Sequence, residues 1–139
     1  GEKMSKSYNN IIALREEPGV VESKIRTMQT DPARVRLTDP GEPSNCPVFA
    51  LHQVYSNQEV LDWCTTGCRT AGIGCIDCKQ PLIDSINVEQ ELIRGRAQQF
   101  EEDADLVHAV IQEGSEKARM IARETMDDVK EAVGISHRQ

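Results

Sequence analysis

Aromatic side chains are scarce in this sequence: one Trp, two Tyr and two Phe among 139 residues. No stretch alternates apolar and polar residues with β-branched or aromatic enrichment, so there is no material for an all-β core. Long apolar runs are missing as well. None approaches the ~20 residues a membrane helix needs, and no charged-then-apolar leader precedes a cleavage site; the expectation is a soluble, cytoplasmic protein without a membrane partner. Positive charge is in deficit, with 16 Lys and Arg against 23 Asp and Glu and a formal net charge of −7. Spread evenly, that charge would argue against a nucleic-acid partner, but the sign varies along the chain, and no DNA partner is expected. Residues 3 to 36 lean basic. Most of the acid lies between Asp84 and Glu131, and "EEDAD" at 101–105 reads as a solvated helix face. The cysteines number five, an odd total that suits no closed disulfide framework. In a reducing compartment it points to metal ligands or redox groups.

What is present is Leu, Ile, Val and Ala at helix-like spacing through most of the chain, in a length that supports one core. The fold expected is all-α, a helical bundle preceded by a flexible loop. The first residue is Gly rather than Met, and the sequence reads as a piece of a longer protein. "GEKMSKSYNN" is an exposed polar loop. Pro18 opens a helix with Val21, Ile25 and Met28 on one face, ending near "QTDP". Residues 31–47 hold four of the six prolines and form an irregular connection. "PVFALHQVY" is a short helix from Pro47, and Ser56 with Glu59 forms a capping box for the next one. Gly67, Gly72 and Gly74 imply a loop across the cysteine segment. Pro81 then sits in the first turn of a helix carrying Leu82, Ile86, Ile93 and Phe100. A further piece with Leu106, Val107, Val110 and Ile111 stops at Gly114. Ser115 caps the last helix, whose stripe of Ala118, Ala122, Thr125 or Met126, Val129 and Val133 is expected to be core and to end at Gly134.

Four of the five cysteines fall within "CTTGCRTAGIGCIDCK", residues 64–79. A Cys-x2-Cys turn, Cys75 and Cys78, places two thiolates on one tight turn. Cys68 lies beyond the glycines that let the chain curl back. The fourth ligand is either Cys46 on the proline-rich connection or Cys64 one helical turn before Cys68, and spacing alone does not choose. Zinc would favour Cys64, Cys68, Cys75 and Cys78 as two short knuckles. A larger iron-sulfur cluster suits a set with one distant member, Cys46. The bland reading is that the thiols are buried small apolar groups, but a glycine-broken loop offers little apolar surface to hide several.

At the start, "KMSKS" places Lys3 and Lys6 three residues apart with Ser5 and Ser7 between and beyond. Two ammonium groups so placed reach along a triphosphate and stabilise charge on departing pyrophosphate. "KMSKSYNN" resembles the signature loop of class I aminoacyl-tRNA synthetases. The continuation is similar to the tryptophanyl branch of that family through "KIRTMQTDPAR" from Lys24, "GEPSNCPVFALHQVY" from Gly41 and "EGSEKARMIARETMDDVKEAVGI" from Glu113. The resemblance covers essentially the whole chain.

It implies the C-terminal part of a tryptophan-tRNA ligase. Residues 1–17 would be the lysine loop and the end of the nucleotide-binding domain, and residues 18–139 a helical anticodon-binding domain with a cysteine-rich segment at 46–79. Lys3 and Lys6 would be catalytic, and Lys3, Met4, Ser5, Lys6 and Ser7 would bind ATP, with magnesium arriving on the nucleotide. Partners would be tryptophan, ATP and the tRNA for tryptophan, with a homodimer for the full enzyme. A bacterial subgroup of this family carries a four-iron four-sulfur cluster on the pattern Cys-x22-Cys-x6-Cys-x2-Cys. The resemblance to it implies Cys46, Cys68, Cys75 and Cys78 as ligands, although the first interval here holds 21 residues. Cys64 has no counterpart in that pattern. Arg69 and Lys79, flanking the ligands, are candidate RNA contacts. The family's His-x-Gly-His element is absent, because His52, His108 and His137 lie in no such context, so this chain alone is expected not to form adenylate. The rival readings are a zinc-stabilised RNA-binding module and an iron-sulfur electron-transfer module.

Overall fold

The computed structural model describes residues 4–135, so Lys3 and His137 lie outside it. Every regular element among the described residues is helical: α1 (Pro18–Thr27), α2 (Pro47–Tyr55), α3 (Gln58–Arg69), α4 (Cys75–Glu102) and α5 (Ala104–Ala132), with 3-10 turns at Lys6–Tyr8 and Pro43–Asn45. The chain divides into two compact units, residues 1–95 and 96–139.

In the first unit α1 and α2 both open on proline, whose fixed φ and missing N–H suit a first turn. Val21 and Ile25, one turn apart on α1, are buried with Val48 of α2 and with Leu82, Ile83 and Ile86 of α4. Burying each such side chain stabilises the fold by roughly 1.5–3 kcal/mol. Cys46, Met28, Leu51 and Tyr55 pack around this cluster, which seats the proline-rich connection directly on the core. The segment before α1 is tied down by hydrogen bonds. Lys24 Nζ donates to the Ile11 carbonyl at 2.8 Å and pairs with Glu16 at 2.6 Å. Gln90 and Arg94 of α4 donate to the carbonyls of Ala13 and Glu16 at 2.9 and 2.8 Å.

Local chemistry moves several boundaries from where the sequence pattern puts them. The N-cap of α3 is Asn57, whose side chain accepts from the Val60 N–H at 3.0 Å. Ser56 does not cap that helix: it ends α2, and its hydroxyl lies 2.7 Å from His52 Nδ1. The cysteine segment is not a single loop, because α3 runs through Gly67 to Arg69 and α4 begins at Cys75. Only residues 70–74 are irregular, and a Cβ on Gly67 would meet the Ile73 side chain at 2.7 Å, so glycine there lets the turn fold back onto α3. Pro81 lies inside α4 rather than in its first turn. The helix starts earlier because the Gly74 N–H donates to Asp77 Oδ2 at 3.2 Å while the Gly74 carbonyl accepts from Cys78 N–H at 2.9 Å. Trp63 sits on α3, 43% exposed.

In the second unit, α5 is one helix where two were expected. Asp103 caps it, accepting from the Leu106 N–H at 2.9 Å. Gly114 costs only about 1 kcal/mol in a helix interior, too little to stop it, and Ser115 follows in mid-helix. The far end does stop at Gly134, which takes φ +73°. Ile135 N–H returns to the Lys130 carbonyl at 3.0 Å and Gly134 N–H to Glu131 at 3.1 Å, a Schellman closure. The stripe of Ala118, Ala122, Met126, Val129 and Val133 is not core: no residue of α5 is buried. Residues 96–135 supply no second surface of matching length to receive it. No helix among the described residues is long and apolar enough to cross a membrane.

Candidate metal centre

Four sulfurs come to one cleft from three directions. Cys46 is the N-cap of α2, Cys68 lies in the last turn of α3, and Cys75 and Cys78 occupy the first turn of α4. All four line a small cleft of about 20 Å³ together with Thr30, Asp31, Arg34, Val48 and Ile73. Two helix N-termini therefore meet the cleft, one at Cys46 and one at Cys75, and each presents partial positive charge to it. Arg34 adds a full cation. Its guanidinium is buried, and one terminal nitrogen donates to the carbonyls of Leu37 at 3.0 Å and Ile73 at 2.6 Å. Its Nε is buried with no partner. Burial raises the pKa of Cys68, and the Arg34 charge works against that rise.

The backbone of the proline-rich connection packs closely against the cleft. Gly41 N–H donates to the Cys68 carbonyl at 3.0 Å, and a Cβ on Gly41 would stand 2.7 Å from Cys68 Sγ. Asp31 is buried and holds the connection in place, accepting from Glu42 N–H at 2.7 Å and Ala33 N–H at 3.0 Å. These features fit a bound anionic iron-sulfur group. The donors are four soft thiols, the Arg34 cation lines the cleft with them, and its unpartnered buried N–H is available to a sulfur acceptor.

Cys64 stands apart. It is buried, and its Sγ accepts from the Cys78 thiol at 3.5 Å. That hydrogen bond lowers the Cys64 pKa and raises the Cys78 pKa, with burial adding to the latter. His52 lies beside both, its Nε2 at 3.8 Å from Cys64 Sγ and 3.7 Å from Cys78 Sγ. Nε2 also lies 3.0 Å from the Cys78 carbonyl. A carbonyl only accepts, so Nε2 carries the proton and Nδ1 accepts from the Ser56 hydroxyl. In that tautomer Nε2 offers no lone pair, and His52, Cys64 and Cys78 form a hydrogen-bonded cluster whose three ligand atoms lie within 4.8 Å of one another.

The other residues singled out in the sequence lie as follows. Met4 and Ser5 are partly buried, and Lys6 and Ser7 are exposed on the 3-10 turn, which closes with Asn9 in the left-handed region at φ 50°. The Ser5 backbone N–H donates to Asn10 Oδ1 at 2.8 Å, while its hydroxyl is buried without a partner. Arg69 is exposed and spans Glu42 through two nitrogens, at 3.0 and 3.3 Å. Lys79, a candidate RNA contact in the sequence, is turned inward instead. It is 4% exposed, and its ammonium donates to the carbonyls of Arg26 and Met28 at 2.7 and 2.6 Å, closing the C-terminal end of α1. Lys79 shares its face of α4 with Leu82, Ile83 and Ile86, which are core.

A family described as tRNA synthetases class I (W and Y) matches residues 1–88, more than half of the sequence. The chain belongs to this family. Among curated tRNA synthetases it is 53% identical over 137 residues to a tryptophan–tRNA ligase of Ralstonia nicotianae, covering 99% of this chain and 34% of that one. It is 46% identical over 132 residues to that of Deinococcus radiodurans, with 95% and 40% covered. The crystal structure of tryptophanyl-tRNA synthetase from Campylobacter jejuni superposes with a TM-score of 0.79 at 26% identity, over 96% of this chain and 43% of the other. The chain thus spans well under half the length of these synthetases. Asp31, Arg34, Gly41 and His52 escaped the sequence reading. Arg34 and Gly41 sit inside the stretches that carry the resemblance, but no spacing rule links them to sulfurs far along the chain.

Proposed function

We propose that this chain is the C-terminal part of a tryptophan-tRNA ligase, and that Cys46, Cys68, Cys75 and Cys78 hold a four-iron four-sulfur cluster in its helical anticodon-recognition part, residues 18–139. The observation that carries the cluster is the shared cleft: the four sulfurs picked out by the family pattern line one cavity beneath two helix N-termini and Arg34. Bound there, the cluster would serve as a structural centre joining the ends of α3, α2 and α4. Arg34 holds the rim by its two carbonyl bonds, Gly41 leaves room beside Cys68, and Asp31 orders the connection that brings Cys46 in.

In the parent ligase, ATP and tryptophan react to an adenylate and pyrophosphate, and the amino acid passes to its tRNA. Lys6, exposed on its turn, and Lys3 supply charge to the phosphate oxygens, with the Ser5 and Ser7 hydroxyls and the Met4 backbone beside them. Magnesium accompanies the nucleotide, and the parent works as a homodimer in the cytoplasm. Arg69, exposed and paired with Glu42, is the proposed tRNA contact and would exchange that carboxylate for a phosphate.

The test is iron and sulfide analysis with visible absorption on anaerobically prepared protein. Brown protein with four irons per chain, lost in Cys46→Ser and retained in Cys64→Ser, is the expected outcome. Colourless protein holding zinc, lost with Cys64 instead, reverses the ligand choice and favours the zinc module. The zinc reading is the weaker because Cys64 Sγ faces Cys78 and His52 and is not among the cleft residues.

A further inference from the structure

Among the described residues Cys64 and Cys78 are the one thiol pair in sulfur contact, at 3.5 Å. They come from consecutive helices, α3 and α4, and differ in access. Cys78 is partly exposed and lines the cleft, whereas Cys64 is 1% exposed. The protonated Nε2 of His52 faces both sulfurs. A disulfide needs the sulfurs at about 2.05 Å, so the gap to close is small on the scale of side-chain torsions. None of this is needed to hold a cluster, and Cys64 is outside the family's four-cysteine pattern.

We propose that Cys64 and Cys78 form a redox-active dithiol that competes with the cluster for Cys78. When the cleft is filled, the Cys78 sulfur is engaged and the pair is silent. When metal is lost, Cys78 meets a small-molecule disulfide entering the cleft. The Cys78 thiol gives up its proton as it attacks one sulfur of that oxidant, the S–S bond breaks, one thiol leaves and a mixed disulfide forms on Cys78. Cys64 then attacks Cys78 Sγ, expelling the second small thiol and leaving the Cys64–Cys78 disulfide. In sum two protein thiols and one external disulfide become one protein disulfide and two external thiols. Cys78 is the entry thiol and Cys64 the resolving one, as their exposure dictates. The product removes one of four ligands and blocks cluster reassembly until a reductant restores the thiols.

The competition with the cluster rests on the cluster reading above, whereas the disulfide itself does not. The intact protein, stripped of iron anaerobically and then exposed to oxidised glutathione, is digested without reduction and mapped by mass. A cross-linked peptide joining Cys64 to Cys78, lighter by two hydrogen masses and absent in Cys64→Ala, is the expected result. In Cys64→Ala the mixed disulfide with glutathione should persist on Cys78 while the helical circular dichroism is unchanged. Iron-loaded protein should form the cross-link at least tenfold more slowly. A map dominated by Cys75–Cys78, or Cys64 recovered as free thiol, overturns the pairing. A cross-link forming equally fast with and without iron overturns the competition. Protein that takes up no iron even when fully reduced, yet gives the Cys64–Cys78 peptide, sinks the cluster reading and leaves the pairing standing.

Discussion

An ammonium group at 4% exposure demands compensation, and Lys79 finds it in the carbonyls that α1 leaves unpaired at its end. Burial is the leading cause of its lowered pKa. Lys79→Met keeps the stem and removes the donors, so it should cost about 2–3 kcal/mol by urea unfolding. If the chain meets tRNA as proposed, the salt dependence of that binding should be unchanged in Lys79→Met, because the ammonium is turned to the α1 carbonyls. Glu16 carries the acid side of the same accounting. The Ala13 N–H, then Lys24, hold its carboxyl below the ordinary carboxylate range. A folded value below the unfolded one means that the unfolded chain binds more protons in that window. The contribution is complete above the unfolded value and drains away as pH falls through the folded one. Glu16→Gln should therefore be less stable than the parent at neutral pH and approach it on acidification; urea midpoints of both proteins across that range check this, and a constant gap would contradict it.

At the scale of elements, glycines at two sites make opposite predictions. A Cβ on Gly41 collides with Cys68 Sγ at 2.7 Å, while one on Gly114 meets nothing within 4 Å. Gly41→Ala should lower iron content severalfold with the helices intact, read by metal analysis beside circular dichroism. Gly114→Ala should raise the stability of α5 by about 0.5–1 kcal/mol, read by thermal unfolding. The same elements mark what was legible in advance. Helices α1 and α2 could be read because proline starts and apolar faces agree, and the Gly134 stop because a left-handed cap has a chemical signature. Glycine and proline inside α3, α4 and α5 misled, since packing and caps at Asn57, Asp77 and Asp103 outweigh a cost of about 1 kcal/mol for an interior glycine. The cysteine set was legible as a motif. Its surroundings were not, because Arg34, Gly41 and His52 meet the sulfurs only through tertiary folding.

For the whole molecule, the decisive fact is proportion. The chain spans 34% of the Ralstonia ligase and 40% of the Deinococcus one, and no His-x-Gly-His element occurs in its sequence. Purified alone, it should show no tryptophan-dependent pyrophosphate exchange; measurable exchange above background would contradict that. The exposed stripe of α5 belongs to this scale as well, since amphipathic periodicity announces that a face wants cover without saying which surface provides it. One further feature turns the molecule into its own instrument. Trp63 is the only tryptophan in the sequence and neighbours Cys64 on α3. Ultraviolet emission from this polypeptide therefore has a single dominant origin, and a broadly absorbing inorganic centre nearby would drain it, so brightness alone tracks how many molecules carry their cargo.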